Sequence, residues 1–208
     1  MKPFVRHRGV AAPLPIDNVD TDQIIPSREM KRVSKLGLGD GLFAGSRYVY
    51  EGTERGAENP DFVLNRPEYR NASMLLSGRN FGCGSSREHA VWALADFGIR
   101  AILAQSFGRI FRSNCARNGL LAIELGQADI ERILATAQAE PFEIDLEAQV
   151  IRLPDGSSLS FDVPKGDREM LLNGLDYVDY ALQYEADIER HIAKDRELRP
   201  WAYLAPQN

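Results

Sequence analysis

The residue types best suited to chemistry in this 208-residue chain lie together in Asn80-Phe81-Gly82-Cys83-Gly84-Ser85-Ser86-Arg87-Glu88-His89. Two glycines let backbone approach a ligand closely and aim N–H groups at an anion. Arg87 adds a planar, two-pronged donor that matches a carboxylate. Ser85 or Ser86 is expected to cap the helix that follows. The combination predicts a site for a small carboxylic acid. Other chemistries fit less well. A dinucleotide fingerprint would need a third glycine where Arg87 stands, and an acidic residue where Gln105 and Ser106 follow the next strand. Gly84-Ser85-Ser86-Arg87-Glu88 is not a Gly-x-Ser-x-Gly nucleophile elbow. Cys83 beside a helix start, with His89 nearby, has the outline of a thiolate nucleophile. A small filler between two tight glycines accounts for it more simply. His89 falls one turn after Ser85, on the same predicted helix face, where it would orient the loop or be held structurally inside the domain. Glu88 suits the positive end of the helix dipole.

The elements that must hold this loop follow from hydrophobic spacing. An apolar run at 72–76 reads as a buried strand. Ala90, Val91, Ala93, Leu94 and Phe97 mark a helix over 87–97 that Gly98 ends. A strand at 100–104, a helix capped by Ser106 through 117, a strand at 120–124 and a helix at 129–139 continue the rhythm. That βαβαβ series predicts a parallel sheet with right-handed crossovers. Strands at 142–146, 149–153 and 159–163, the last two joined by Pro154-Asp155-Gly156-Ser157, add an antiparallel portion. Helices are expected over 168–173 and 176–195. Before the site, a strand at 5–12 is ended by Pro13, and a polar turn carries Asp17, Asp20 and Asp22. A short basic helix is expected at 27–34, a mobile Gly/Leu loop at 36–42 and a long surface loop at 50–69. The fold class is α/β in a single domain, with a core over about 1–165 and a helical C-terminal extension over about 166–208.

Composition bounds the function. A hydrophobic content of 44% supports a real core, and a net charge of −5 argues against a broad basic surface for nucleic acid. No apolar run approaches the ~20 residues of a membrane span. Met1-Lys2-Pro3-Phe4-Val5-Arg6-His7 lacks the apolar core of a signal peptide. With only Cys83 and Cys115, no disulfide scaffold is expected, and a cytoplasmic protein is the plain reading. Two cysteines and three scattered histidines (His7, His89, His191) are too few for an iron–sulfur cluster or a zinc site. Any metal the chemistry needs is therefore expected on another chain.

The run from Asn80 to Ala90 closely resembles the signature of the aconitase swivel-domain family, and most resembles its branch of bacterial 3-isopropylmalate dehydratase (isopropylmalate isomerase) small subunits. Asn18-Val19-Asp20-Thr21-Asp22-Gln23-Ile24-Ile25-Pro26, Asn59-Pro60-Asp61-Phe62-Val63-Leu64-Asn65, Asn118-Gly119-Leu120-Leu121 and Leu172-Asn173-Gly174-Leu175-Asp176 extend the match over nearly the whole chain. The resemblance implies a swivelling three-layer β/β/α domain that closes over a large subunit carrying a [4Fe–4S] cluster. Together they would interconvert 2- and 3-isopropylmalate by dehydration and rehydration in leucine biosynthesis. It implies that Ser85 is the base taking the carbon-bound proton, that Asp22 supports the serine and arginine, and that Gly84, Ser86 and Arg87 bind a substrate carboxylate. Asp20, Thr21 and His89 would support them, and Val33, Leu36 and Leu38 would line a pocket for the substrate side chain. The chain departs from the family pattern at Val91 (usually proline), at Lys35-Leu36 (often Arg-Thr), at Arg168-Glu169-Met170, and at Phe107-Gly108-Arg109-Ile110-Phe111-Arg112, which carries two arginines in a segment otherwise acidic and neutral. The first two departures leave open a dehydratase small subunit for another 2-hydroxy diacid of the methyl- or dimethylmalate type. Because capping serines and glycines alone suit anion binding, a carboxylate-binding module without turnover is a second alternative.

Overall fold

Two four-stranded sheets and a helical layer make up the body in a computed structural model that describes residues 1–30 and 34–203. Strands β1 (Arg6–Gly9) and β2 (Ala11–Leu14) follow one another yet enter different sheets. The single strand expected at 5–12 is thus two, and Pro13 lies inside β2 rather than ending it. That is tolerated because β2 is the edge of its sheet, where a missing N–H breaks few ladder bonds. The polar turn carries a short helix, α1 (Thr21–Ile24), and α2 (Ala44–Arg47) leads into the ribbon β3 (Tyr48–Glu51) and β4 (Glu54–Glu58). This ribbon, then buried Val63, Leu64 and Asn65, replaces the surface loop expected at 50–69. All of β4 is exposed, so it has no apolar alternation to reveal it in the sequence.

The predicted βαβαβ unit is present: β5 (Met74–Ser77), α3 (His89–Phe97), β6 (Ala101–Ala104), α4 (Arg109–Arg117) and β7 (Leu121–Glu124). With β2 it forms a parallel sheet in the order β2-β5-β6-β7, followed by α5 (Gln127–Thr136). Strands β8 (Phe142–Asp145), β9 (Val150–Arg152) and β10 (Ser158–Ser160) join β1 in an antiparallel sheet ordered β1-β8-β9-β10. Side-chain alternation along the parallel strands fixes the layers. Met74, Leu76, Ala101, Leu103, Leu121 and Ile123 pack toward Phe142, Ile144 and Ile151 of the antiparallel sheet. Leu75, Ile102, Ala104 and Ala122 face the helices, against Ala90, Val91, Leu94, Phe111 and Cys115. A strand period of 2 buried on both faces thus yields the β/β/α stack, each large side chain contributing roughly 1.5–3 kcal/mol.

Helices α6 (Lys165–Asn173), α7 (Tyr177–Leu182) and α8 (Glu185–Leu198) complete the chain. The helix expected over 176–195 is therefore two. α6 belongs to the body: Met170 and Leu171 are buried, Phe4 donates its N–H to the Leu171 carbonyl at 2.8 Å, and the N-terminal ammonium reaches the Gly174 carbonyl at 2.6 Å. Neither α7 nor α8 buries a residue. Among the described residues no helix is long and apolar enough to cross a membrane.

The stretch 36–42 is not the mobile loop its glycines suggest. Asp96 accepts from the N–H groups of Gly37 and Gly39 at 2.9 and 2.7 Å, and buried Arg47 donates to the carbonyls of Gly39 and Leu42 at 3.2 Å each. A Cβ on Gly39 would lie 2.8 Å from the Phe97 nitrogen, so only glycine allows this close approach to α3.

Candidate active site

The loops leaving β5 and β6 meet at the carboxyl edge of the parallel sheet, the usual place for a ligand crevice in an open α/β sheet. Between them lies a cavity of about 430 Å³, lined by Gly82, Cys83, Gly84, Ser85, Ser86 and Arg87 from one side and Gly108, Arg109, Ile110, Phe111 and Asn114 from the other. Asn80 and Thr21 complete the wall. Gly82 and Gly84 have φ of +73° and +83°, where a side chain is strained. A Cβ on Gly82 would fall within the ring of buried Phe111, and one on Gly108 would lie 2.5 Å from the Gly82 carbonyl oxygen. The two loops are thus pressed together at glycines.

The N-terminal acidic turn anchors the serine loop. Gly82 donates to the Val19 carbonyl at 2.7 Å, and the Thr21 N–H donates to the Cys83 carbonyl at 3.0 Å. The Thr21 hydroxyl donates to the Ser85 carbonyl at 2.9 Å, and the Arg87 N–H reaches the same oxygen at 2.7 Å. Ser85 is therefore held by its backbone while Ser85 and Ser86 remain exposed, and among the described residues no hydrogen bond engages either hydroxyl. This corrects the capping expectation. α3 begins only at His89, its N-cap residue is Glu88, and neither serine closes it. The Glu88 carboxylate instead accepts from Asn118 at 2.7 Å, tying the start of α3 to the end of α4.

The three carboxylates of the turn separate by role. Asp17 takes Arg79 in a paired grip, its N–H at 2.7 Å and its guanidinium at 2.8 and 3.0 Å, and these bonds hold the Asp17 carboxyl below its ordinary range. Asp20 caps α1 through the Gln23 N–H at 2.7 Å. Asp22 pairs with Arg87, and the Ser27 hydroxyl bridges both, at 3.1 Å to Asp22 and 3.0 Å to Arg87. Asp22 thus meets the arginine of the site.

Several expected site residues lie elsewhere. His89 does not line the cavity. Ser85 precedes the helix, so the one-turn relation that would bring them together does not arise, and the His89 ring packs on Trp92 with centroids 4.7 Å apart. Leu38 is 1% exposed inside the core and offers no surface to a ligand. Leu36 is 73% exposed and borders a different hollow with Lys35, Trp92 and Asn118. Val33 lies outside the described residues. Cys115 is core, as expected, and burial pushes its thiol up. Both cysteines are free thiols, Cys83 half-buried on the cavity wall. Among the described residues no group of three or more His, Cys, Asp or Glu is placed to hold a metal.

The sequence reading gave no site role to Asn80, Ser27, Arg109, Asn114 or the Asn118 hub, although Asn80, Arg109 and Asn118 stand in segments it singled out. Asn118 accepts from Trp92 at 3.0 Å and Lys35 at 3.2 Å while donating to Glu88 and the Asn114 carbonyl. The available signal was the second strand–glycine–helix junction, Ala104 to Arg109, which a parallel sheet must place beside the first. Ser106, expected as a helix cap, instead accepts from the Asn80 N–H at 2.8 Å, and Gly108 is the N-cap residue.

Comparison with known proteins agrees with this architecture. Residues 1–128 match the model of the aconitase C-terminal domain, and residues 131–164 match one described as LeuD_N. The chain is 50% identical over 205 residues to the 3-isopropylmalate dehydratase small subunit of Brucella anthropi, covering 97% of this chain and 100% of that one. It is 52% identical over 208 residues to the protein of the same name from Cupriavidus necator, covering 98% and 99%. A crystal structure of 3-isopropylmalate dehydratase from Methanocaldococcus jannaschii superposes with a TM-score of 0.65 at 28% identity, covering 89% of this chain and 99% of that one.

Proposed function

This chain belongs to the aconitase C-terminal domain family, among its 3-isopropylmalate dehydratase small subunits, and we propose that it is the half of an isopropylmalate isomerase that handles the carbon-bound proton and the substrate carboxylate in leucine biosynthesis. One observation carries the reading: two exposed serines and Arg87 stand on a single cavity wall whose backbone is fixed by Thr21 and whose arginine is held by Asp22. Arg87 and Ser86 bind a carboxylate of the 2-hydroxy diacid. Ser85 takes the proton from carbon, the electrons of that C–H bond form the alkene as the C–O bond on the adjacent carbon breaks, and the hydroxyl would leave to the large subunit. On rehydration the hydroxyl adds back and Ser85 returns the proton.

A serine is a weak base in water. Arg87 and the glycine-loop N–H groups stabilise its ionised form, and closure over a large subunit would exclude water and strengthen each contribution. The donor set of this chain does not fit an iron–sulfur cluster, because Cys83 and Cys115 have no further ligands gathered around them among the described residues. We assign the [4Fe–4S] cluster to the large subunit and no step through it to these residues. A cytoplasmic setting is consistent with two free thiols.

The test is anaerobic reconstitution with the cognate large subunit and an alkene-forming assay on isopropylmalate, methylmalate, dimethylmalate and citrate. Turnover of isopropylmalate is the expected result. Turnover confined to another 2-hydroxy diacid would move the substrate and keep the mechanism. No turnover of any of them would overturn the enzyme reading.

A further inference from the structure

We propose that the N-terminus of α4, through Arg109 and Asn114, forms a second carboxylate seat in the cavity that holds Ser85, Ser86 and Arg87. The inference rests on the diacid substrate proposed above. Arg87 is one guanidinium, already shared with Asp22, so it can answer at most one carboxylate of a diacid. A dianion needs a further cation. Arg109 supplies it: it lines the cavity, is exposed, and no carboxylate pairs with it among the described residues. The neighbouring Arg112, by contrast, is taken up by Glu124 at 3.0 Å.

The backbone adds to the same potential. α4 is nine residues long, its N-cap residue Gly108 gives no side-chain cap, and its first three residues, Arg109, Ile110 and Phe111, all line the cavity. First-turn N–H groups lack intrahelical partners, and the helix dipole favours an anion beside them. Asn114 points independently to a ligand. It is only 9% exposed and borders the cavity, yet no hydrogen bond engages its side-chain amide among the described residues. Among the described residues the one enclosed side-chain polar atom without a partner is Arg168 Nε, so the Asn114 amide opens on the cavity, where a ligand can meet it. The close contact of Gly108 with Gly82 fixes this wall against the serine loop, so the spacing of the two seats is built into the fold.

The test uses the full chain in complex with its large subunit, and the full chain alone. With isopropylmalate as substrate, Arg109→Gln is expected to raise KM roughly 10- to 100-fold, the loss of one charge-assisted hydrogen bond, while kcat stays within about threefold. Asn114→Asp, nearly isosteric, sets a negative charge in the seat and is expected to raise KM likewise. With a substrate half-amide in which the second carboxylate is replaced by a carboxamide, the KM increase of Arg109→Gln should disappear. Independently of turnover, succinate titrated onto the isolated chain should shift the Asn114 side-chain amide resonances, with at least roughly tenfold weaker binding in Arg109→Gln. An unchanged diacid KM in Arg109→Gln, or succinate binding indifferent to it, overturns the proposal. Should the wild-type complex fail on isopropylmalate while succinate binding still depends on Arg109, the substrate assignment falls and the seat stands.

Discussion

Gly82→Ala and Gly84→Ala form a matched pair that separates backbone strain from close packing. Both glycines lie at positive φ, +73° and +83°, so each alanine carries the left-handed penalty of about 1–2 kcal/mol. Their surroundings differ. A Cβ on Gly84 would stand 3.3 Å from the Asp20 Cβ, a tight contact that a few tenths of an ångström relieves. A Cβ on Gly82 would enter the Phe111 ring, with both Cδ atoms at 2.5 Å where carbon atoms prefer about 3.5–4.0 Å. Phe111 is itself wedged against Phe81 and Phe107, with ring centroids 5.4 and 6.4 Å away, so it has little room to retreat. Overpacking of that kind costs about 1–3 kcal/mol more. At about 2–4 °C per kcal/mol for a chain of this size, Gly82→Ala should melt roughly 2–12 °C below Gly84→Ala. Thermal unfolding of the isolated chain, followed by circular dichroism, reads the difference directly because the strain they share cancels. Equal melting temperatures, or a lower one for Gly84→Ala, would refute the claim that the two site loops are locked at Gly82.

Other outcomes follow from the same structure. Asp22→Asn removes the partner of Arg87 from a largely exposed pair, so urea titration should show less than about 1 kcal/mol lost while kcat/KM falls roughly 10- to 100-fold. Asp145 is buried and accepts from the Ala148 N–H at 2.9 Å, Arg152 at 3.1 Å and Arg6 at 2.9 Å, and these donors, the backbone one foremost, hold its carboxyl below the ordinary range. Its stabilisation is therefore full above the unfolded carboxylate value of about 3.9 and is lost as pH falls through the lower folded one. Asp145→Asn should cost about 1–3 kcal/mol near neutrality and progressively less in that acid window, which unfolding titrations across pH will check. We also propose that the C-terminal extension begins after Gly174, not at 166, because α6 is tied to the N-terminus while α7 and α8 bury nothing. Deleting residues 175–208 should then lower stability by no more than about 1 kcal/mol by urea titration.

The βαβαβ unit was legible because its strands are buried on both faces and its helices carry apolar spacing, signals that survive without tertiary information. Gly98 marked a helix end correctly, at φ +108°. Residue types alone singled out the glycine–serine–arginine loop, which the fold places on the wall of the cavity, and the likeness of Asp22 to a family residue found the partner of Arg87. What failed depended on long-range contacts. Asp96, 57 residues from Gly39, turns a glycine-rich stretch into a fixed one and carries Leu38 into the core. Ser85 lies outside the helix because the Thr21 hydroxyl, 64 residues away, holds its carbonyl, which undoes the predicted face shared with His89. Arg109 and Asn114 sit on the neighbouring βα junction, and only the parallel pairing of β5 with β6 brings them to the site.

The central claim is that Ser85 takes the proton from carbon while Arg87 holds the acid, and Ser85→Ala in the reconstituted complex tests it most directly. Loss of a general base should lower kcat on isopropylmalate about 10²- to 10⁴-fold with KM within a few-fold of wild type. Retention of more than about a tenth of kcat, or a loss carried mainly by KM, would contradict it, since either result would make the serine a binding group.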